Sequence, residues 1–71
     1  MKIELLDVVV LLKSLPAKQL QQGALGTIVE VFDDQYYLVE FADLQGVAYA
    51  MAELPASALM KVVREPLSAA N

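Results

Sequence analysis

The clearest fold signal in the sequence is Gly23-Ala24-Leu25-Gly26-Thr27-Ile28-Val29-Glu30-Val31-Phe32, which is followed by Asp33-Asp34-Gln35 and by Tyr36–Ala42. β-Branched and aromatic residues dominate both long runs, and such residues favour extended strands. The short polar segment between them is typical of a turn, so the two runs predict a hairpin. Gly23 and Gly26 predict a sharp bend, or a close approach between strands, where the first run begins.

A first strand and a long loop are predicted before this hairpin. Residues 5–13 are apolar on both faces and contain three consecutive valines, which favours a buried strand over a helix. Residues 14–23 contain Pro16 and end at Gly23. Proline cannot donate to a strand ladder and glycine stops a helical turn, so this segment predicts a loop with at most one or two helical turns.

The remaining sequence supplies two more strands. They are predicted at residues 47–54 and 59–63, with a single 3₁₀ turn over residues 54–59, because Pro55 cannot donate to a ladder. Five short strands with one long loop after the first predict an all-β fold, a small five-stranded SH3-like barrel. We assign residues 1–64 to this barrel and residues 65–71 to a frayed C-terminal tail.

The composition limits the chemistry available to the chain. It has 71 residues, enough for one small domain, and contains neither Cys nor His. Disulfides, Cys/His zinc sites, thiol nucleophiles and imidazole bases are therefore excluded. The carboxylate pairs Asp33/Asp34 and Glu40/Asp43 are typical of turns, and no calcium-binding loop accompanies them. We predict a protein that is not an enzyme and has no catalytic residue, cofactor or metal site.

Hydropathy and charge bear on location and partners. No apolar run reaches the ~18 residues of a membrane helix and no signal-peptide pattern is present, which predicts a cytoplasmic protein that does not engage a membrane. An apolar fraction of 58% predicts exposed apolar surface for a protein partner or for a homo-oligomer. The net charge is −4, so no nucleic-acid partner is expected. Pairing of the first and last strands would bring Lys2 near Lys61 and Arg64, as a solvated rim.

Strand alternation sorts the hairpin into two faces. Val29 and Val31 are predicted to lie in the core with Tyr37, Val39 and Phe41. The opposite face is the predicted partner-binding surface, with the residues Ile28, Glu30, Phe32, Tyr36, Leu38 and Glu40. Aromatic anchors surrounded by charge are typical of binding hot spots. The alternatives are that the loop at 14–24 or the tail covers this face, or that it is simply exposed.

A second pattern occupies the predicted fourth strand. Val47, Tyr49 and Met51 alternate there with alanines at positions 48, 50 and 52. The alanine row predicts a flat face. This face is either exposed to solvent or approached closely by another sheet.

Two resemblances follow from these motifs. The Gly23-x-x-Gly26 step before a Val-rich strand resembles that of KOW-type SH3-like barrels. The chain is also similar to a family of short bacterial proteins, common in cyanobacteria, that is classed as a domain of unknown function. The shared motifs are Leu5-Leu6-Asp7-Val8-Val9, Gly23/Gly26-Thr27, Tyr37-x-Val39-Glu40-Phe41, and Leu54-Pro55 followed by Leu59.

The family resemblance implies a function by binding, with no catalytic residues to carry over. Genes of this family often lie beside a second small reading frame, which implies antitoxin- or immunity-like neutralisation of a companion protein. An acidic surface fits a basic protein partner. The alternatives are a KOW-like nucleic-acid-binding accessory and a structural subunit of a larger complex. KOW domains carry basic loops, whereas the loops here hold Asp33, Asp34 and Asp43.

Overall fold

The computed structural model describes residues 2–33 and 35–63, and within them the chain is all-β. The strands are β1 (Val8–Leu11), β2 (Leu25–Asp33), β3 (Tyr36–Ala42), β4 (Ala48–Pro55) and β5 (Leu59–Lys61). They form one antiparallel sheet in the order β4-β3-β2-β1-β5. Short 3₁₀ turns lie at Pro16–Lys18, in the loop after β1, and at Ala56–Ala58, before β5. The predicted five-stranded SH3-like barrel is confirmed, with its long loop and its 3₁₀ turn before the last strand.

β1 begins later than predicted because a turn precedes it. The Glu4 backbone N–H donates to Asp7 Oδ2 at 2.7 Å, and the Asp7 N–H donates to the Glu4 carbonyl oxygen at 3.1 Å. Leu6 has a φ of 71°, in the left-handed region that a strand cannot contain. Leu5 and Leu6 are therefore exposed turn residues rather than buried strand residues. β5 is also shorter than predicted and ends at Lys61.

The core is built by placing large side chains beside small ones across β2, β3 and β4. Phe41 lies between Gly26 of β2 and Ala50 of β4, and Val39 lies between Ile28 and Ala52. A Cβ added at Gly26 would lie 2.5 Å from Val39 Cγ1 and 3.0 Å from Phe41 Cδ1. Close packing therefore requires glycine at this position, because no side chain fits between these two residues.

The predicted faces are right for β3 and, in β2, right for Glu30 but wrong for Ile28. Tyr37, Val39 and Phe41 are buried as predicted. Ile28, which we predicted on the outer face, pairs with Val39 and is fully buried. The pairing then shifts by one residue between Ile28 and Glu30, so Val29 has no partner on β3. A β-bulge of this kind exchanges the faces of the strand beyond it.

Two further corrections concern β2 and β4. Val31, which we predicted in the core, is 41% exposed near the end of the hairpin. The alanine row of β4 is an open face only at Ala48, because Ala52 is buried and the half-buried Ala50 packs against the core. Small residues are needed there, because the bulky Val39 and Phe41 lie directly opposite on β3.

The loop after β1 packs against the core and leaves the end of the hairpin uncovered. Its Leu20 is buried among the core residues and forms a bridge with Leu15, whose N–H donates to the Leu20 carbonyl oxygen at 2.8 Å. Phe32 and Tyr36 remain 45% and 49% exposed. Our predictions for Asp34, Arg64 and the tail at 65–71 lie outside the described residues.

Candidate protein-binding surface

The side of β2, β3 and β4 that points away from the core is continuous across the three strands. Its rows follow from the register, in which Glu40 lies between Thr27 and Met51, and Leu38 lies between Glu30 and Glu53. We call this surface the outer face, and its residues are Thr27, Glu30, Tyr36, Leu38, Glu40, Met51 and Glu53. Phe32 lies at a second register shift beside the turn, next to the Asp33–Tyr36 pair.

Five of the six residues predicted for partner binding lie together in this region. Glu30, Leu38 and Glu40 occupy adjacent rows of the outer face, and Phe32 and Tyr36 lie at its hairpin end. Ile28 is the exception, since it belongs to the core. The structure thus provides an apolar centre at Leu38 with a carboxylate-bearing residue on each side.

Sequence reasoning missed the contribution of β4. Met51 lies directly opposite Glu40 and Glu53 lies directly opposite Leu38, so both extend the predicted surface by one strand. Alternation shows that these residues share a face of β4, but only the pairing of β4 with β3 shows which face that is. Met51 is more than half exposed and adds a flexible apolar side chain.

Charge is strongly segregated between the middle of the chain and its two ends. No Lys or Arg occurs between Lys18 and Lys61, whereas this interval contains six acidic residues: Glu30, Asp33, Asp34, Glu40, Asp43 and Glu53. The ion pair found among the described residues lies at the other end of the sheet, where Lys61 Nζ is 3.2 Å from Asp7 Oδ2. Among the described residues, the carboxylates of the outer face form no ion pair.

Asp7 and Lys61 stabilise the junction of β1 with β5. The Glu4 backbone N–H that donates to Asp7 lowers the pKa of this carboxyl below its ordinary value of 3.8, and the Lys61 ammonium lowers the pKa further. Lys61 Nζ also donates to the Lys2 carbonyl oxygen at 3.4 Å. Lys2 and Lys61 do approach each other, as predicted from the pairing of the first and last strands.

Two of the acidic residues act in turns rather than in a binding surface. Asp43 Oδ1 accepts hydrogen bonds from the N–H groups of Gln45 and Val47, at 2.9 and 3.0 Å. Asp33 Oδ1 accepts from the N–H groups of Gln35 and Tyr36, at 2.7 and 3.1 Å. These are side chain-to-backbone turns of the kind predicted from the residue types. No three acidic side chains in the described ranges are grouped so that they could hold a metal ion.

Two adjoining depressions meet at Tyr49. One, of about 810 Å³, lies against the loop after β1 and is lined by Ser14, Pro16, Gln19, Leu20 and residues 21–24. The other, of about 550 Å³, extends over Thr27 and Glu40 at the edge of the outer face. Ser14 Oγ accepts a hydrogen bond from the Gln22 N–H at 2.9 Å and so fixes the loop. The two depressions therefore form a concave surface with polar and apolar lining beside the outer face.

A second exposed apolar row was also missed. It crosses β5, β1 and β2, where Val10 lies between Met60 and Leu25. Met60 and Leu25 are both more than half exposed, and this row carries no charged side chain. It differs in this respect from the outer face, where apolar and acidic side chains alternate.

The fold and this surface define a small SH3-like barrel that exposes an acidic and apolar sheet face. Residues 5–61 match the family described as Domain of unknown function (DUF4926), and the chain belongs to that family. The resemblance to a family of unknown function is thereby confirmed. The comparison with curated proteins found no match, and neither did the comparison with solved structures. None of the helices in the described ranges has the length and hydropathy needed to span a bilayer.

Proposed function

We propose that this chain is a cytoplasmic, non-catalytic protein-interaction module whose outer face binds a basic protein partner. The observation that carries the proposal is the composition of the outer face. It presents Leu38, Met51 and Tyr36 among three glutamates, in a stretch of 42 residues (19–60) that has no cationic residue. Apolar contact provides affinity, and the carboxylates attract and orient a partner of opposite charge.

The arrangement of the face suits a partner with its own apolar and basic side chains. Leu38 is half-buried and provides a rigid apolar centre, because it stands on the middle strand between β2 and β4. Glu30 and Glu53 flank it and are exposed, so a Lys or Arg on the partner reaches them without leaving water completely. Pairs of this kind add modest affinity and considerable specificity.

An antitoxin- or immunity-like role is the particular case in which the basic partner is a companion protein that the module neutralises. A structural subunit uses the same surface permanently. A nucleic-acid-binding role is disfavoured, because phosphate contacts require a basic stripe and residues 19–60 carry only acidic charge.

Affinity capture with matched variants tests the proposal. The bait is used as wild type, as a Phe32→Ala/Tyr36→Ala double variant, and as Met60→Ala, which removes an exposed side chain from the other apolar row. Wild type and Met60→Ala are expected to retain the same basic protein. The double variant is expected to bind it about thirtyfold more weakly, since a hot spot contributes ~2 kcal/mol.

The opposite pattern contradicts the proposal. If Met60→Ala loses the partner and the double variant retains it, the uncharged row across β5, β1 and β2 is the binding surface. Equal capture of a nucleic acid by all three baits at about 0.15 M salt contradicts the proposal in a different way, because it places the function outside protein binding altogether.

A further inference from the structure

β4 is an edge strand, and its free edge can be traced residue by residue. The Ala56 N–H donates to the Gln35 carbonyl oxygen at 2.8 Å, which fixes the phase of the ladder between β3 and β4. Hydrogen-bonded pairs alternate along an antiparallel ladder, so residues 50, 52 and 54 bond to β3. The intervening Met51 and Glu53 direct their backbone N–H and C=O groups away from β3. No described residue bonds to these groups.

The position of Pro55 agrees with this alternation of hydrogen-bonded and non-hydrogen-bonded pairs. Its position pairs with Tyr36 and does not bond to β3, so the N–H that proline lacks would have pointed to the free edge. The proline ends the available edge without disturbing the sheet. The free edge thus runs along the exposed part of β4 up to Glu53, and no Lys, Pro or Gly interrupts it there.

The opposite edge of the sheet is protected. β5 has only three residues, and one of them is Lys61, whose ammonium group is held by Asp7. Short edge strands and edge lysines are the usual defences against pairing with another chain. β4 has eight residues and lacks both defences. Of the two edges, β4 is the one open to strand addition.

The charge beside this edge specifies the occupant. An added strand would lie about 4.8 Å from β4, with every second side chain on the same side as the outer face. Those side chains would stand beside Met51 and Glu53, with Glu40 one strand further away. A second copy of this chain is a poor occupant, because pairing β4 with β4 would join two surfaces that lack cations.

We propose that the basic partner binds as an extended strand added to the free edge of β4, with Lys or Arg at alternate positions facing the outer face. This inference rests on the proposed function and specifies its binding mode. The partner's backbone bonds to the N–H and C=O groups of Met51 and Glu53. Its basic side chains pair with Glu53, and the residues between them lie on the side of the alanine row.

The test uses a defined probe. It is a capped peptide of about six residues, the length of an ordinary strand, that alternates Lys and Val. Its control is the same peptide N-methylated at those residues whose backbone N–H groups would point toward β4. The control keeps the charge of the peptide and lacks the N–H donors that would bond to β4. Binding is followed by amide chemical shifts and hydrogen exchange. The unmodified peptide is expected to protect the Met51 and Glu53 amides and to bind at least about tenfold more tightly than its control.

A pair of variants isolates the backbone donor. Met51→Pro removes an N–H that points away from β3, whereas Met51→Ala removes the side chain and keeps the N–H. Met51→Pro is expected to weaken peptide binding about tenfold relative to Met51→Ala, while the dispersed amide spectrum of both variants shows that they are folded.

The outcomes separate this inference from the function on which it rests. If both peptides bind equally and shift the amides of Glu30, Leu38 and Glu40, the outer face binds basic chains but the edge does not, and strand addition is wrong. If neither peptide binds with a Kd below about 1 mM, the proposed basic partner is wrong as well. If the protein alone sediments as a dimer that Met51→Pro dissociates, a second copy occupies the edge, and strand addition by a partner is wrong.

Discussion

The inner and outer faces of β2, β3 and β4 both carry large apolar side chains, and they differ in what lies across from each one. On the inner face Phe41 lies between Gly26 and Ala50, with no charge in the row. On the outer face Leu38 lies between Glu30 and Glu53. Apolar content alone does not distinguish a core from a binding surface. The cross-strand neighbours do, because small ones allow close packing and charged ones keep the surface hydrated.

The largest expected effect is the loss of Phe41. Phe41→Ala removes a fully buried aromatic ring and leaves a cavity beside Gly26 and Ala50, so we expect a destabilisation of about 3–5 kcal/mol. Chemical denaturation measures it. Phe41→Leu is the milder control and should stay folded if Phe41→Ala does not. A Phe41→Ala protein with the wild-type unfolding midpoint contradicts the assignment of the inner face as core.

A larger residue at Gly26, in the same cross-strand row as Phe41, should destabilise the fold less than Phe41→Ala does. Gly26→Val places methyl groups where Val39 and Phe41 already lie, and overpacking of this kind costs about 1–3 kcal/mol. Thr27→Val, the next residue along β2 and a member of the outer face, is the matched control and should leave stability nearly unchanged. Equal melting temperatures for Gly26→Val and wild type would show that Val39 and Phe41 of β3 leave room for a side chain at Gly26.

Truncations at the hairpin end of the outer face should cost much less stability than truncations in the core. Phe32→Ala and Tyr36→Ala should each change the free energy of unfolding by about 0.5 kcal/mol or less, since both side chains are nearly half exposed. Thermal melts of both variants measure this change, and Phe41→Ala, melted in parallel, shows the size of a core defect. A loss comparable to that of Phe41→Ala would mean that the aromatic residues at this end are part of the core.

The smallest effect concerns the charge pair at the junction of β1 and β5. Because folding lowers the pKa of Asp7, its carboxylate stabilises the fold above the ordinary value of 3.8, and this contribution is lost as the pH falls through the lower folded pKa. Asp7→Asn should therefore lower the Tm at neutral pH, and its difference from wild type should shrink in acid. Glu53→Gln, on the outer face, should leave the neutral-pH Tm unchanged. A Tm difference for Asp7→Asn that is independent of pH contradicts this role.

The fold could be predicted because its signals are local. Pro16, Gly23 and Pro55 interrupt the chain, and runs of Val, Ile and Tyr mark the strands. The faces of β3 were predictable for the same reason, since Tyr37–Phe41 keeps an unbroken alternation from buried to partly exposed residues.

The candidate surface was only partly predictable, since its composition depends on pairing between strands. The bulge at Val29 moves Ile28 into the core and has no signature in the residue types around it. Ala50 and Ala52 face the core because they lie opposite Phe41 and Val39, a fact of register that alternation within β4 does not contain. Met51 and Glu53 were missed for that same reason.

If the carboxylates of the outer face bind a basic partner, the dissociation constant of the captured partner depends on them. The measurement compares wild type, Glu40→Gln/Glu53→Gln and the exposed control Glu4→Gln, which is not an outer-face residue, at about 0.15 M and about 1 M salt. We expect the double variant to bind about tenfold more weakly at the lower salt, high salt to reduce this difference, and Glu4→Gln to match wild type. Equal dissociation constants for wild type and the double variant at the lower salt would contradict this expectation.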